Sequence, residues 1–280
     1  MNRAEFEMPA EGARLAPVLR WREGRRSEVD DWLTEEVPVA LEFNGISHAV
    51  MLATPADLGD FALGFGLSEG IFASAADLYG CEIDASVHGI TVHMEVSARS
   101  FAGLKERRRT LAGRTGCGVC GTESLDQVLR PTPRVVAGAV VRSGAIADAM
   151  RSLRTHQRLN HLTGSVHAAA WCGVDGRVRT LREDVGRHNA LDKLIGALAG
   201  ACVAAPDGFI AVTSRASVEM VQKVAAAGVS LLAAVSAPTT LAAETARAAG
   251  MTLVGLVRGD DLVVYAGADR VALAAMRNHA

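Results

Sequence analysis

The stretch that decides the fold is "GFIAVTSRASVEMVQKVAAAGVSLLAAVSAPTTLAAETARAAGMTLVGLVRG", residues 208–259. Three apolar runs, 208–214, 229–236 and 251–259, are each bounded by turn residues. The two Ala-rich segments between them have helical spacing, and each closes on a glycine. Strands alternating with helices of this length predict βαβ units and a parallel sheet. In such sheets ligands bind beyond the carboxyl ends of the strands, where helix N-termini point N–H groups at anions. The first run is followed by Ser214, Arg215 and Ser217, the second by Ser236, Thr239 and Thr240, the third by Arg258 and Asp260. Ser or Thr at a single helix start is often only an N-cap. Three adjacent strand ends with two arginines point further, to a phosphate- or nucleotide-bearing ligand.

Working outward, "SVHAAAWCGVDGRVRTLRED" reads as a hairpin turning at Asp175-Gly176, followed by the helix "GRHNALDKLIGALAG". The passage "REDVGRHNALDKL" gathers Glu183, Asp184, Arg187, His188, Asn189 and Lys193 at the opening of that helix, dense enough in polar side chains to favour a site. Nearer the N-terminus, "EVPVALEFNGISHAVMLAT" reads as a hairpin through Asn44-Gly45, the dipeptide suited to a type I′ turn. "TPADLGDFALGFGLSEGIF" follows as a helix with Thr54 as N-cap, Pro55 in the first turn and Gly70 as its end. "CEIDASVHGITVHMEVS" alternates around His88-Gly89 as another hairpin. Residues 1–33 are charged and aperiodic and read as a loosely docked or mobile tail. The expected division is therefore a tail 1–33, an α+β domain 34–112, a mobile Gly-rich loop 113–124 and an α/β domain 125–280.

Composition limits the possibilities. A chain of 280 residues with 49% hydrophobic residues can bury a large core. The net charge of −2 provides no basic surplus for nucleic acid. No apolar run approaches the roughly 20 residues of a membrane helix, and the charged N-terminus lacks the apolar core of a secretory signal. A cytoplasmic location and no membrane partner are expected. Five cysteines, an odd number, suit a reducing compartment. Cys81, Cys172 and Cys202 lie in apolar contexts and read as buried, inert thiols.

The remaining pair, Cys117 and Cys120 in "RTGCGVCGTE", leaves three roles open. A zinc site needs two more ligands, and no second C-x-x-C or H-x-x-x-H exists. A thioredoxin-type couple should open a helix after the first strand of its fold, whereas this pair sits in mid-chain among glycines. A carrier that accepts sulfur as a persulfide must swing between partners, and Gly116, Gly118 and Gly121 permit that. Six basic residues and one acid between Arg99 and Arg114 would favour the nucleophilic thiolate. His167 in "TGSVHAAAW" invites comparison with the H-x-E and P-C-x-x-C of zinc deaminases. Here His167-Ala168-Ala169 lacks the glutamate and the C-x-x-C precedes the histidine, so deaminase chemistry is not expected and a related scaffold without that metal is.

Taken together, "RTGCGVCG", "TGSVHAAAW", "REDVGRHNALDKLIG", "TSRASVEMVQK" and the segment from Val235 to Gly259 resemble the formate dehydrogenase accessory sulfurtransferase family from about residue 35 to the end. The one departure noted is Gly66, where a larger apolar residue is expected. The resemblance implies a homodimer with a cytidine-deaminase-like C-terminal domain. It implies a sulfur carrier loaded by a cysteine desulfurase, with Cys117 bearing the persulfide and Cys120 supporting it. The sulfur would pass to a molybdenum or tungsten bis(molybdopterin guanine dinucleotide) cofactor, bound as a substrate, before that cofactor enters formate dehydrogenase. "LVRGDD", that is Leu256, Val257, Arg258, Gly259, Asp260 and Asp261, matches the family's cofactor-binding segment. Ser214, Arg215, His167, Arg187 and His188 would complete the site, for which a guanine nucleotide would serve as a mimic. The alternative is a non-catalytic cofactor chaperone whose cysteines bind structural zinc.

Overall fold

The computed structural model describes residues 11–111, 132–136 and 138–273. The C-x-x-C segment, including Cys117 and Cys120, lies outside them. The three apolar runs form the expected strands: β10 (Gly208–Val212), β11 (Leu231–Ala234) and β12 (Thr252–Arg258). They pair parallel in sequence order. The helices between them are α6 (Val218–Ala226) and α7 (Thr240–Ala248), each followed by a left-handed glycine, Gly228 and Gly250. Antiparallel strands complete the sheet on both sides. β8 (His167–Gly173) and β9 (Val178–Asp184) form the hairpin expected at Asp175-Gly176, and β13 (Asp261–Ala266) returns from β12. The strand order is β13-β12-β11-β10-β8-β9. Two apolar layers cover its faces. One joins α6 and α7 to α5 (Arg187–Gly200); the other carries Ile146, Ala149 and Leu153 of α3 (Ser143–His156), which follows the two-residue strand β7 (Val141–Arg142).

The N-terminal half builds a second sheet, β4-β3-β6-β5. β3 (Val37–Phe43) and β4 (Ile46–Ala53) turn through Asn44 and Gly45, both at positive φ, as the dipeptide predicts. β5 (Leu78–Ser86) and β6 (Gly89–Val96) form the hairpin expected near His88-Gly89. One face packs Val39, Leu41, Phe43, Val92 and Met94 against Phe61 and Phe65 of α1 (Leu58–Ser68) and Leu104 of α2 (Ala98–Leu111). Gly66 is explained by its neighbour: a Cβ there would lie 2.1 Å from the Phe72 ring.

Two expectations are corrected. Within 1–33, the described residues are not an aperiodic tail: β1 (Ala13–Arg22) and β2 (Arg25–Thr34) pair antiparallel around Glu23-Gly24, both at positive φ. Thr34 Oγ1 donates to Thr163 Oγ1 at 2.7 Å, at the end of α4 (Arg158–Thr163), and Glu35 N donates to Gly12 O. Charged side chains on the exposed ribbon hid its alternation. Likewise, Thr54 does not cap α1; Asp57 holds that position at φ 53 with no side-chain cap bond. Thr54 is instead fully buried, its N–H donating to Asp184 Oδ2 at 3.0 Å and its carbonyl accepting from Lys193 Nζ at 2.9 Å.

These bonds belong to the seam between the two halves. α1 and α5 cross so closely that a Cβ on Gly64 would sit 1.7 Å from Asp192 O, and one on Gly196 1.9 Å from Asp60 O. At one place on the seam Lys193 Nζ meets Asp184 Oδ2 at 2.7 Å, both side chains wholly buried. At another, Lys223 Nζ meets Asp192, Glu69 and Ser68 within 2.9 Å. Removing one partner of a buried pair strands a charge and costs about 3–5 kcal/mol. Lys193→Met should therefore lose about that much stability in urea unfolding, and adding Asp184→Asn should restore part of it. A single variant within 1 kcal/mol of wild type, on the order of a surface pair, would contradict this role.

Candidate functional site

The carboxyl ends of β10, β11 and β12 lie along one edge of the six-stranded sheet, joined by their connecting loops. β8 runs opposite to β10, so its first residue, His167, arrives at the same edge. There Ala168 N donates to Thr213 Oγ1 at 2.9 Å and Thr213 N to Ala168 O at 3.1 Å. The next loop is tied on by Val235 N to Val212 O and Thr239 N to Ala216 O. β12 is reached through Leu256 N and Ser236 O, 3.4 Å apart. Leu256 has φ 53, a left-handed conformation costly for a side chain that large, within a break in the β12–β13 register. The edge thus runs without interruption from the start of α5 to the β12 bulge.

Two helix N-termini face this edge without side-chain caps: α5, preceded by Gly186, and α6, preceded by Ser217. α7 differs, because Thr239 Oγ1 accepts from Ala242 N. At the first two helix starts, Arg187 Nε and Ser217 Oγ are buried with no hydrogen-bond partner. His188 Nε2 lies 2.7 Å from Glu219 Oε2, in ion-pair range but without hydrogen-bond geometry. Burial, with the charge of Arg187, holds His167 below the ordinary histidine range against the opposing Asp184. Burial lowers His188 too, opposed by Glu219 and reinforced by Arg187 and Lys223. Both imidazoles are thus biased neutral, so the positive field at this edge comes from the guanidinium groups. Free N–H groups, helix dipoles and orphaned buried donors together suit a phosphate or another anionic group.

The dense passage 182–193 divides in two. Arg187 and His188 serve the edge, while Glu183, Asp184, Asn189 and Lys193 are structural. Glu183 accepts from Leu159 N and Asn160 N at the start of α4 at 2.8 and 2.9 Å, and burial raises its pKa in spite of those bonds. Asp184 Oδ1 accepts from Gly186 N and from Asn189 Nδ2 at 2.7 and 2.9 Å. Ser214 is buried, and its hydroxyl donates to Arg215 O; Arg215 and Arg258 are exposed. Of the segment 256–261, Val257 packs into the sheet core and Leu256 is half-buried. Arg258, Gly259, Asp260 and Asp261 form the exposed tip of the β12–β13 hairpin, with Gly259 at φ 60. Asp260 Oδ1 accepts from Arg151 Nη1 of α3 at 2.8 Å.

Glu219 and Arg151 were missed from sequence, because each meets its partner only through the fold. Glu219 has one local trace, an acid in the first helical turn after Ser217. Among the described residues no three His, Cys, Asp or Glu side chains gather as a metal ligand set. Of the three cysteines expected to be buried, Cys172 is, its pKa pushed up to about 12 by burial. Cys81 is half-buried, and Cys202 is exposed at φ 51 just beyond α5. Replacing Glu219 with Gln should lower the His188 pKa further, since Glu219 is the group holding it up. Titration of the imidazole by NMR tests this; an unchanged value would contradict the contact.

Comparison with known proteins agrees with this architecture. A family model described as the FdhD/NarQ family matches residues 34–272. A protein of Variovorax paradoxus named "Sulfur carrier protein FdhD" is 57% identical over 95% of this chain and 95% of its own. One of the same name from Cupriavidus necator is 56% identical, covering 91% of this chain and 88% of its own. A crystal structure from Desulfotalea psychrophila, described as a formate dehydrogenase accessory protein, superposes with a TM-score of 0.73 at 23% identity. It covers 93% of this chain and 99% of that one, a likeness of fold. With the matched region running through both sheets and the edge that joins their helices, the chain belongs to the FdhD/NarQ family.

Proposed function

We propose that this protein is a sulfur carrier serving formate dehydrogenase. In this reading it takes sulfur from a cysteine desulfurase onto Cys117 and passes it to a molybdenum or tungsten bis(molybdopterin guanine dinucleotide) substrate. Family membership supports the carrier role. The observation that carries the substrate is the pair of buried, unpartnered donors, Arg187 Nε and Ser217 Oγ, at two uncapped helix N-termini. Neutral polar substrates would leave that field unused, whereas a pyrophosphate would complete its hydrogen bonds. Arg215 and Arg258, exposed along the same edge, extend it toward the rest of a dinucleotide. A homodimer in the cytoplasm and a deaminase-like C-terminal sheet belong to the same reading.

The chemistry is thiol exchange. The Cys117 thiolate attacks the terminal sulfur of the donor persulfide; the donor's S–S bond breaks and its thiolate leaves with the electron pair. Cys117 then carries the sulfane sulfur, with no net oxidation. For release as sulfide, the Cys120 thiolate attacks Cys117 Sγ and forms a Cys117–Cys120 disulfide. The two thiolates supply the two electrons, and an external thiol must later reduce the disulfide.

Incubation with desulfurase and cysteine should add one sulfur atom to the wild-type mass and none to Cys117→Ala. Bound zinc with no sulfur gain would overturn the carrier in favour of a structural metal site. GDP titration by calorimetry tests the edge. A charge-assisted hydrogen bond is worth about 1.5–3 kcal/mol, so Arg258→Ala should bind about 10–100-fold more weakly, with persulfide loading intact. Equal affinities would place the nucleotide elsewhere.

A further inference from the structure

The open face of the four-stranded sheet has no part in the chemistry above. Burial along the strands separates its two sides: Val39, Leu41, Phe43, Val92 and Met94 face α1 and α2, and their neighbours face outward. The registers align those neighbours in rows. One runs Val50, Ala40, Thr91, Asp84; the next runs Ser47, Glu42, His93, Glu82. Among the described residues no helix or strand covers this side: Val50 is 63% exposed and Leu52 57%. The face is therefore aliphatic toward β4, an edge strand among the described residues, and acidic toward β5 and β6, where Glu82, Asp84 and Glu95 are exposed. Among the described residues no lysine or arginine pairs with Glu82, Asp84 or Glu95, and the one basic side chain in these rows, His93, is held by Glu42 at 3.0 Å. From Glu35 to Ala98 the chain has ten acidic residues and not one lysine or arginine.

An apolar border with a one-sign field specifies a partner of opposite charge. Anionic membranes and nucleic acid are repelled by it. A second copy stacked face to face would set carboxylates against carboxylates. The sheet also lies at the root of the cysteine segment: β6 passes through Ser97 directly into α2, and Cys117 follows α2 in the chain. We propose that this face docks the protein that donates sulfur, through a surface on that protein bearing apolar side chains bordered by lysine or arginine. The inference rests on the sulfur-carrier reading and adds to it the surface on which loading begins. Docking there leaves the anion-binding edge of the larger sheet free for the substrate.

The test uses the full chain with a purified cysteine desulfurase. Two variants probe the face, Glu82→Lys/Asp84→Lys/Glu95→Lys and Val50→Ser/Leu52→Ser, each checked for unchanged melting and unchanged GDP affinity. At low desulfurase concentration the charge-reversed variant should load sulfur on Cys117 at least about tenfold more slowly, and the wild-type rate should fall with added salt. The aliphatic variant should need more desulfurase to reach the wild-type rate. If wild type accepts no sulfur, the carrier reading itself fails. If wild type loads and both variants load equally fast, this docking surface is refuted while the carrier stands. A loss of sedimentation mass in the variants would assign the face to a second copy and overturn the proposal.

Discussion

The crossing of α1 over α5 is the constraint on which the rest depends. Gly64 and Gly196 remove the side chains that would keep these helices apart, so backbone meets backbone across the junction of the two halves. Backbone at that distance excludes water, and the polar groups caught beside it must find partners within the protein. Lys193 satisfies the Asp184 carboxylate and the Thr54 carbonyl; Lys223 satisfies Asp192, Glu69 and Ser68. Although burial opposes it, Asp192 and Glu69 hold Lys223 above the ordinary lysine range. The seam is specific because each charge has one place to go.

That seam also shapes the strand-end edge of the larger sheet. Asp184 grips Lys193 and Thr54 with one oxygen and receives Gly186 N and Asn189 with the other. It thereby fixes the start of α5 and sets Arg187 and His188 at the strand-end edge, with Arg187 Nε and His188 Nε2 buried. Asn189 reaches back to Leu52 O at the end of β4. A disturbance where the N-terminal sheet meets the larger one would thus be felt at the helix start on that edge. In the proposed function, the half that docks a sulfur donor and the half that holds the cofactor are mechanically joined here.

Much of the fold could be read locally. Asn44-Gly45 announces its hairpin because few dipeptides accept positive φ at both positions cheaply, and at Asp175-Gly176 the glycine alone takes the positive φ. The runs 208–214, 229–236 and 251–259 announce parallel strands through their alternation with helices, and the two closing glycines mark where those helices stop. The β1–β2 ribbon escaped because its exposed, charged strands carry no buried stripe; Glu23-Gly24 was its only local mark. Thr54, a threonine before a proline, resembles a cap, and nothing nearby in the chain reveals a partner 130 residues away.

By itself the sequence determined the class of the fold, the polar character of three strand ends and the spacing of the cysteine pair. Each of these depends on residues within one or two turns of one another, where spacing and backbone preference decide the outcome. Only the tertiary structure decided which members of "REDVGRHNALDKL" turn inward as structural ions and which face the edge. That choice depends on α1 arriving from the other half of the chain, close enough to dry one side of α5. It likewise decided that His188 meets Glu219, that Asp260 meets Arg151, and that one sheet face stays acidic and uncovered. These are contacts between distant segments, and their geometry exists only once the helices have crossed.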